Sequence, residues 1–187
     1  SLHDALPILA GIFAMIRMVG AMVGAQGKAD TLLAELQAGL TGTAEAGLAL
    51  PRRPRVYFEE WDDPLISGIR WVSELIGLAG GEDCFGDHAE HPQAKDRIVT
   101  DPREVVRRGP DIIIGSWCGK PFQPERVAHR EGWESIPAVR TGHVFGIPSE
   151  EILQPGPAAL TDGLARLHEI IRGWAFSEGR DRPRETL

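Results

Sequence analysis

The chain has 187 residues, 42% of them hydrophobic and 25% charged, with a formal net charge of -7 and a pI near 5.4. That length suits one sizeable core. The acidic balance argues against a nucleic-acid phosphate track or an anionic-membrane surface, since both need clustered positive charge. Cys84 and Cys118 are too few for a disulfide scaffold, although they could form one bridge if the segments they follow lie side by side.

Residues 1–8 join poorly to the adjoining chain and read as a foreign or truncated start. From Leu6 to Ala25 the chain is almost wholly apolar, over about the 20 residues that a membrane span needs. Arg17 stands near the middle, at an insertion cost of about 2.5–3.5 kcal/mol, and Gly11, Gly20 and Gly24 lower the hydrophobicity, which favours a buried helix. No basic residue precedes the run, against a secretory signal. Leu32, Leu33, Leu36 and Leu40 recur at helical spacing and predict an amphipathic helix over 29–40, outside the core of the next domain. Gly39, Gly42 and Gly47 then loosen the chain, and Pro51 to Pro54 form a stiff connector.

A compact domain begins there, with a strand over 55–60. Ile66, Ile69, Val72, Ile76 and Ala79 space as one helix face, capped by Asp62 or Asp63 and stopped by Gly80 and Gly81. After a short strand, Thr100 or Asp101 opens a helix through Arg107, with Pro102 at its first position. Next come a strand over 111–116, a helix opening at Pro124 and a strand over 142–147. Leu160, Leu164, Leu167, Ile171 and Trp174 then make one helical stripe before a charged tail from residue 177. This order predicts an α/β fold with a mostly parallel sheet sandwiched by helices, those near 65–79 and 158–175 covering it.

In such open sheets ligands bind outside the carboxyl ends of the strands. The first strand ends in Glu59, Glu60, Trp61, Asp62 and Asp63, the next in Ser116, Trp117 and Cys118. Trp61 and Trp117 would make an aromatic rim, each able to bury about 150–250 Å²; the alternative is a pair of core tryptophans. Gln154, on a rigid Gln-Pro-Gly-Pro turn, could meet an amide-rich ligand. Cys84, His88 and His91 are zinc-ligand types, but Gly86, Pro92 and the surrounding charges read as a solvated loop, so no metal is expected. There is no Gly-x-Ser-x-Gly elbow, phosphate loop or His-Glu-x-x-His motif. Adjacent carboxylates on one strand end point opposite ways, which disfavours paired-acid hydrolysis.

The runs YFEEWDDPL (57–65), GGEDCF (80–85), DIIIGSWCG (111–119) and QPGP (154–157) resemble the C-terminal lobe of cobalamin-type periplasmic binding proteins. These are solute-binding proteins of ABC importers, with two α/β lobes joined by one long helix. The resemblance implies a Rossmann-like lobe over 51–176, with residues 9–50 as the end of a missing first lobe and the interlobe helix. It implies capture of a corrinoid, with siderophore, haem or metal chelate as alternatives, by Trp61, Asp62, Trp117, Cys118 and Gln154. It further implies docking on a permease and its ATPase through Glu125, a monomer at full length, no cofactor, no catalysis and an extracytoplasmic place. The lack of an export signal leaves the cytoplasm open.

Overall fold

The computed structural model describes residues 7–177; the unusual start and the charged tail expected from the sequence fall largely on positions 1–6 and 178–187, outside the described residues. Two helices lead, α1 (Pro7–Met22) and α2 (Gln26–Leu48), joined through Gly24 at a positive φ of 67°. Leu9, Ile12 and Phe13 of α1 are buried, whereas Met18, Val19, Met22 and Val23 are exposed, Met22 by 79%. Among the described residues no helix is long and apolar enough to cross a membrane.

Helix α2 corrects the expectation for this region twice. It runs on past Leu40 through Gly39, Gly42 and Gly47, and its Leu33, Leu36 and Leu40 belong to the main core instead of lying outside it. A glycine inside a helix costs about 0.5–1 kcal/mol relative to alanine, and at Gly47 packing explains the cost. A Cβ there would lie 2.5 Å from the Leu78 carbonyl oxygen and 2.9 Å from Gly80 N. The glycine lets α2 cross the end of α3 (Arg70–Leu78) at backbone contact.

The sheet contains β1 (Arg55–Asp62), β2 (Leu65–Ser67), β3 (Glu82–Asp83), β4 (Ile112–Gly115) and β5 (Val144–Gly146). Its order is β2-β1-β4-β5, with β3 also paired to β1. All pairings are parallel except β1 with β2, where a register shift falls between Glu59 and Trp61. Residues 65–67 are therefore strand, not the start of a helix. Asp62 and Asp63 consequently cap nothing, and α3 starts at Arg70 after Ile69. The peptide Asp63-Pro64 in the tight turn is cis.

The remaining elements are shorter: α4 (Gly86–Ala89), a 3-10 turn (Ala94–Arg97), α5 (Arg103–Arg108), α6 (Pro124–Ala128), α7 (Pro137–Thr141), α8 (Ser149–Ile152) and α9 (Leu164–Phe176), the last entered through a π-helical turn at Ala159–Gly163. Helix α5 starts at Arg103, one residue later than expected, so Pro102 precedes it instead of opening it; the Asp101 carboxylate accepts the Arg103 N–H at 3.0 Å.

Strand alternation divides the interior into two layers. Val56 and Phe58 of β1 and Ile112 and Ile114 of β4 face α1, α2, α3, α8 and α9. Tyr57 and Ile113, register partners across β1 and β4, face the other way, onto Phe85, Val105, Val127, Trp133 and Ile136. The fold is thus a mostly parallel sheet between helical layers. Each fully buried Ile, Leu or Phe adds about 1.5–3 kcal/mol of transfer free energy.

Candidate functional site

Because β1, β4 and β5 are parallel, their carboxyl ends, Asp62, Gly115 and Gly146, share one edge of the sheet. The segment from Ser116 to Gln123 folds back over that edge and is held at three points. Trp117 Nε1 donates to Glu59 Oε1 at 3.0 Å, Lys120 Nζ sits 2.5 Å from Asp62 Oδ1, and the Phe122 ring rests on the cross-strand pair Gly115 and Gly146. A Cβ at Gly115 would meet that ring at 1.8 Å, so only glycine leaves room for it. Phe122 in turn meets Trp117 edge to face, with centroids 4.9 Å apart.

Glu59 is the polar centre of this edge. It is fully buried, accepts from the Tyr57 hydroxyl at 3.3 Å and from Trp117, and pairs with both terminal nitrogens of Arg130, one at 2.8 Å. Burial and the Glu59 charge push the Tyr57 hydroxyl well above its usual pKa, so it stays a donor. For Arg130, burial lowers the pKa, and the Glu59 carboxylate outweighs burial and raises it. Asp62 shows the same contest. Burial raises its pKa, the Lys120 hydrogen bond and charge lower it, and the net value lies below the usual range.

Two hollows open beside these groups. One, of about 490 Å³, is lined by Trp117, Lys120, Phe122, Ile147, Pro148 and Glu150, among others. The second, of about 1010 Å³, includes Asp62, Pro64, Arg103, Arg107, Arg130 and Trp133 in its walls.

The residues singled out from sequence distribute unevenly around them. Trp61 is half-buried, its indole N–H donating to the Asp63 carbonyl at 2.9 Å, and the Lys120 ammonium lies 4.1 Å from its ring centroid. Asp62 is buried. Trp117 is only 2% exposed, so the expected open aromatic rim is half absent: Glu59 and Phe122 draw its ring inward, and only part of it borders the smaller hollow. Cys118 is exposed, and Gln154 is exposed outside the lining of either hollow. Glu125 is exposed in the first turn of α6.

Cys84 is buried and both thiols are free, so the envisaged disulfide does not form. His88 Nδ1 lies 3.4 Å from the Ser67 hydroxyl. Among the described residues no three His, Cys, Asp or Glu side chains gather as metal ligands. Sequence reasoning missed Lys120, Phe122, Arg126 and Arg130. Lys120, Phe122 and Arg130 are ordinary residues in irregular stretches and Arg126 lies in the short helix α6, and only the glycines at Gly115 and Gly146 hint that a ring must fit above them.

Relatives share this chain over most of its length. The substrate-binding lipoprotein YvrC of an ABC transporter from Bacillus subtilis (strain 168) is 24% identical over 172 residues, 89% of this chain and 52% of the relative. A vitamin B12-binding protein of Vibrio parahaemolyticus is 26% identical over 114 residues, 57% of this chain and 36% of the relative. The chain therefore spans about half or less of these curated relatives.

Solved structures agree in fold. A possible iron-binding periplasmic solute-binding protein from Staphylococcus epidermidis superposes with a TM-score of 0.72 at 18% identity, covering 87% of this chain and 62% of that one. IsdE of S. aureus, solved with heme, gives 0.71 at 16% identity, covering 87% and 64%. The family model described as periplasmic binding protein matches residues 4–151, most of the sequence, and the chain belongs to that family.

Proposed function

We propose that this chain forms the carboxyl-terminal half of an ABC-importer solute-binding protein, which captures a corrinoid-like ligand against the carboxyl edge of the sheet and hands it to a permease and its ATPase outside the cytoplasmic membrane. The observation that carries the reading is the cluster of Trp61, Trp117, Lys120 and Phe122 at the ends of parallel strands, where open α/β sheets bind ligands. The relative named for vitamin B12 supports the corrinoid. Haem is the second reading, because structural neighbours include proteins solved with haem.

In this reading Trp61 offers its ring to the ligand and Asp62 sets the charge beside it, while Cys118 and Gln154 stand at the margin. Glu125, exposed at the opening of α6, is the docking charge for the permease. No covalent step is involved, and the full-length protein works as a monomer without a cofactor. Titration with cyanocobalamin and with haem, followed by tryptophan fluorescence, tests the proposal. Trp61→Ala should weaken cyanocobalamin binding by about 1–3 kcal/mol, the range for a buried aromatic anchor. Equal affinity in the variant, or binding of haem alone, would refute it.

A further inference from the structure

Given the binding-protein reading above, on which its role rests, Lys120 bears on the chemical class of ligand. Its ammonium lies 2.5 Å from Asp62 Oδ1, 4.1 Å from the Trp61 centroid and 4.9 Å from the Trp117 centroid, and its side chain lines the smaller hollow. In this position it lies over one face of the Trp61 ring. Its partner is far less accessible, for the Asp62 side chain is only 2% exposed against 36% for Lys120. A buried carboxylate that loses its last cation is heavily penalised. Were Lys120 the sole partner, it would be locked in place.

Asp62 has a second cation. Arg126 Nη1 stands 3.2 Å from Oδ2, an oxygen that is buried and receives no hydrogen bond. The Arg126 side chain is largely exposed, so its guanidinium has room to tighten onto that oxygen. The neighbouring pair, Glu59 with Arg130, is already complete and has nothing to exchange. Glu150, the carboxylate among the lining residues of the hollow, is exposed and solvated.

We propose that Lys120 determines specificity: it turns from Asp62 to an anionic substituent on the ligand, Arg126 takes over Asp62, and the departure of the ammonium bares Trp61 for stacking. The ligand class is then a flat body bearing at least one carboxylate or similar anionic group. Anion and ring recognition are coupled through one side chain, so a neutral analogue displaces the ammonium from Trp61 without offering it a partner and binds more weakly.

Two ligand pairs test this on the full chain: cyanocobalamin against its monocarboxylic acid, with one propionamide hydrolysed, and haem against its dimethyl ester. Affinities come from tryptophan fluorescence for wild type, Lys120→Met and Arg126→Met, with circular dichroism to verify folding. Wild type should favour the acid member of at least one pair by about tenfold or more, as expected for one charge-assisted hydrogen bond. Lys120→Met should bring that ratio close to one. Arg126→Met should lower it too, because Lys120 then cannot leave Asp62, whereas a lysine that merely packs the loop would not respond to Arg126. No preference in either pair for wild type, or an unchanged ratio in Lys120→Met, overturns the proposal, and an unchanged ratio in Arg126→Met overturns the hand-over. A preference confined to the haem pair sinks the corrinoid reading while upholding Lys120.

Discussion

Trp117 and Glu59, 58 residues apart, are joined by a 3.0 Å hydrogen bond from the indole N–H to a carboxylate with no solvent exposure. The bond ties the loop after β4 to the middle of β1 and turns the tryptophan from a surface ring into part of the core. Glu59→Gln keeps the volume but leaves Arg130 without its counter-charge. Breaking a buried pair in this way costs about 3–5 kcal/mol. Urea unfolding should register that loss, together with a red-shifted Trp117 emission as the ring loosens; a loss under about 1 kcal/mol would show that the pair is solvated in solution.

Gly115→Ala tests the seat of Phe122. The added methyl would overlap the ring at 1.8 Å, and overpacking of this kind costs about 1–3 kcal/mol. Adding Phe122→Ala should recover part of the loss, since the methyl then has space. A double-mutant cycle by thermal unfolding measures the coupling, and strictly additive effects would mean that the ring does not rest on the glycine pair.

Acid should weaken the contact between α4 and α5. Arg108 holds Asp87 through hydrogen bonds at 2.5 and 2.8 Å, and this bonding draws the Asp87 carboxyl down from 3.8 to about 2. A carboxylate with a depressed folded-state pKa stabilises the fold above its unfolded value and loses that contribution as pH falls through the folded value. The Tm difference between wild type and Asp87→Asn should therefore be present at neutral pH and fade as pH falls from about 4 to about 2. Because Asp87 is largely exposed, the difference should be small and decrease with salt. A difference that grows on acidification would contradict the pairing.

The two cysteines should differ sharply in reactivity. Cys118 is exposed, whereas Cys84 is buried and burial pushes its thiol up to about 12. Since the thiolate is the reactive form, a thiol reagent at pH 8 should modify Cys118 in the native protein and reach Cys84 only after denaturation. Peptide mass spectrometry distinguishes them; rapid native labelling of Cys84 would place it at the surface.

Strands and long helices were legible because their signals are local. The apolar runs at 55–60 and 111–116 could only be buried strands bounded by turns, and the stripe from Leu160 to Ile171 only a helix. The short strand Leu65–Ser67 was hidden, because Ile66, Ile69 and Val72 also satisfy a helical period and nothing local shows that Leu65 pairs back onto Asp62. Gly39, Gly42 and Gly47 misled for a related reason. Their helical cost is local, but at Gly47 the gain is a contact with Leu78 and Gly80, more than thirty residues on.

The site divides along the same line. By itself the sequence determined the fold class, the two strand ends and the presence of Trp61, Asp62 and Trp117 there, since each follows from alternation and from where an apolar run stops. Only the tertiary structure decided which groups face a ligand. Trp117 turned inward because Glu59 and Phe122 hold it, Asp62 became a buried ion because Lys120 and Arg126 converge on it from the loop and from α6, and Lys120 came to cover Trp61. Burial and charge pairing depend on distances across the sheet edge, and those distances are set by strand pairing and loop return, which one-dimensional spacing does not encode.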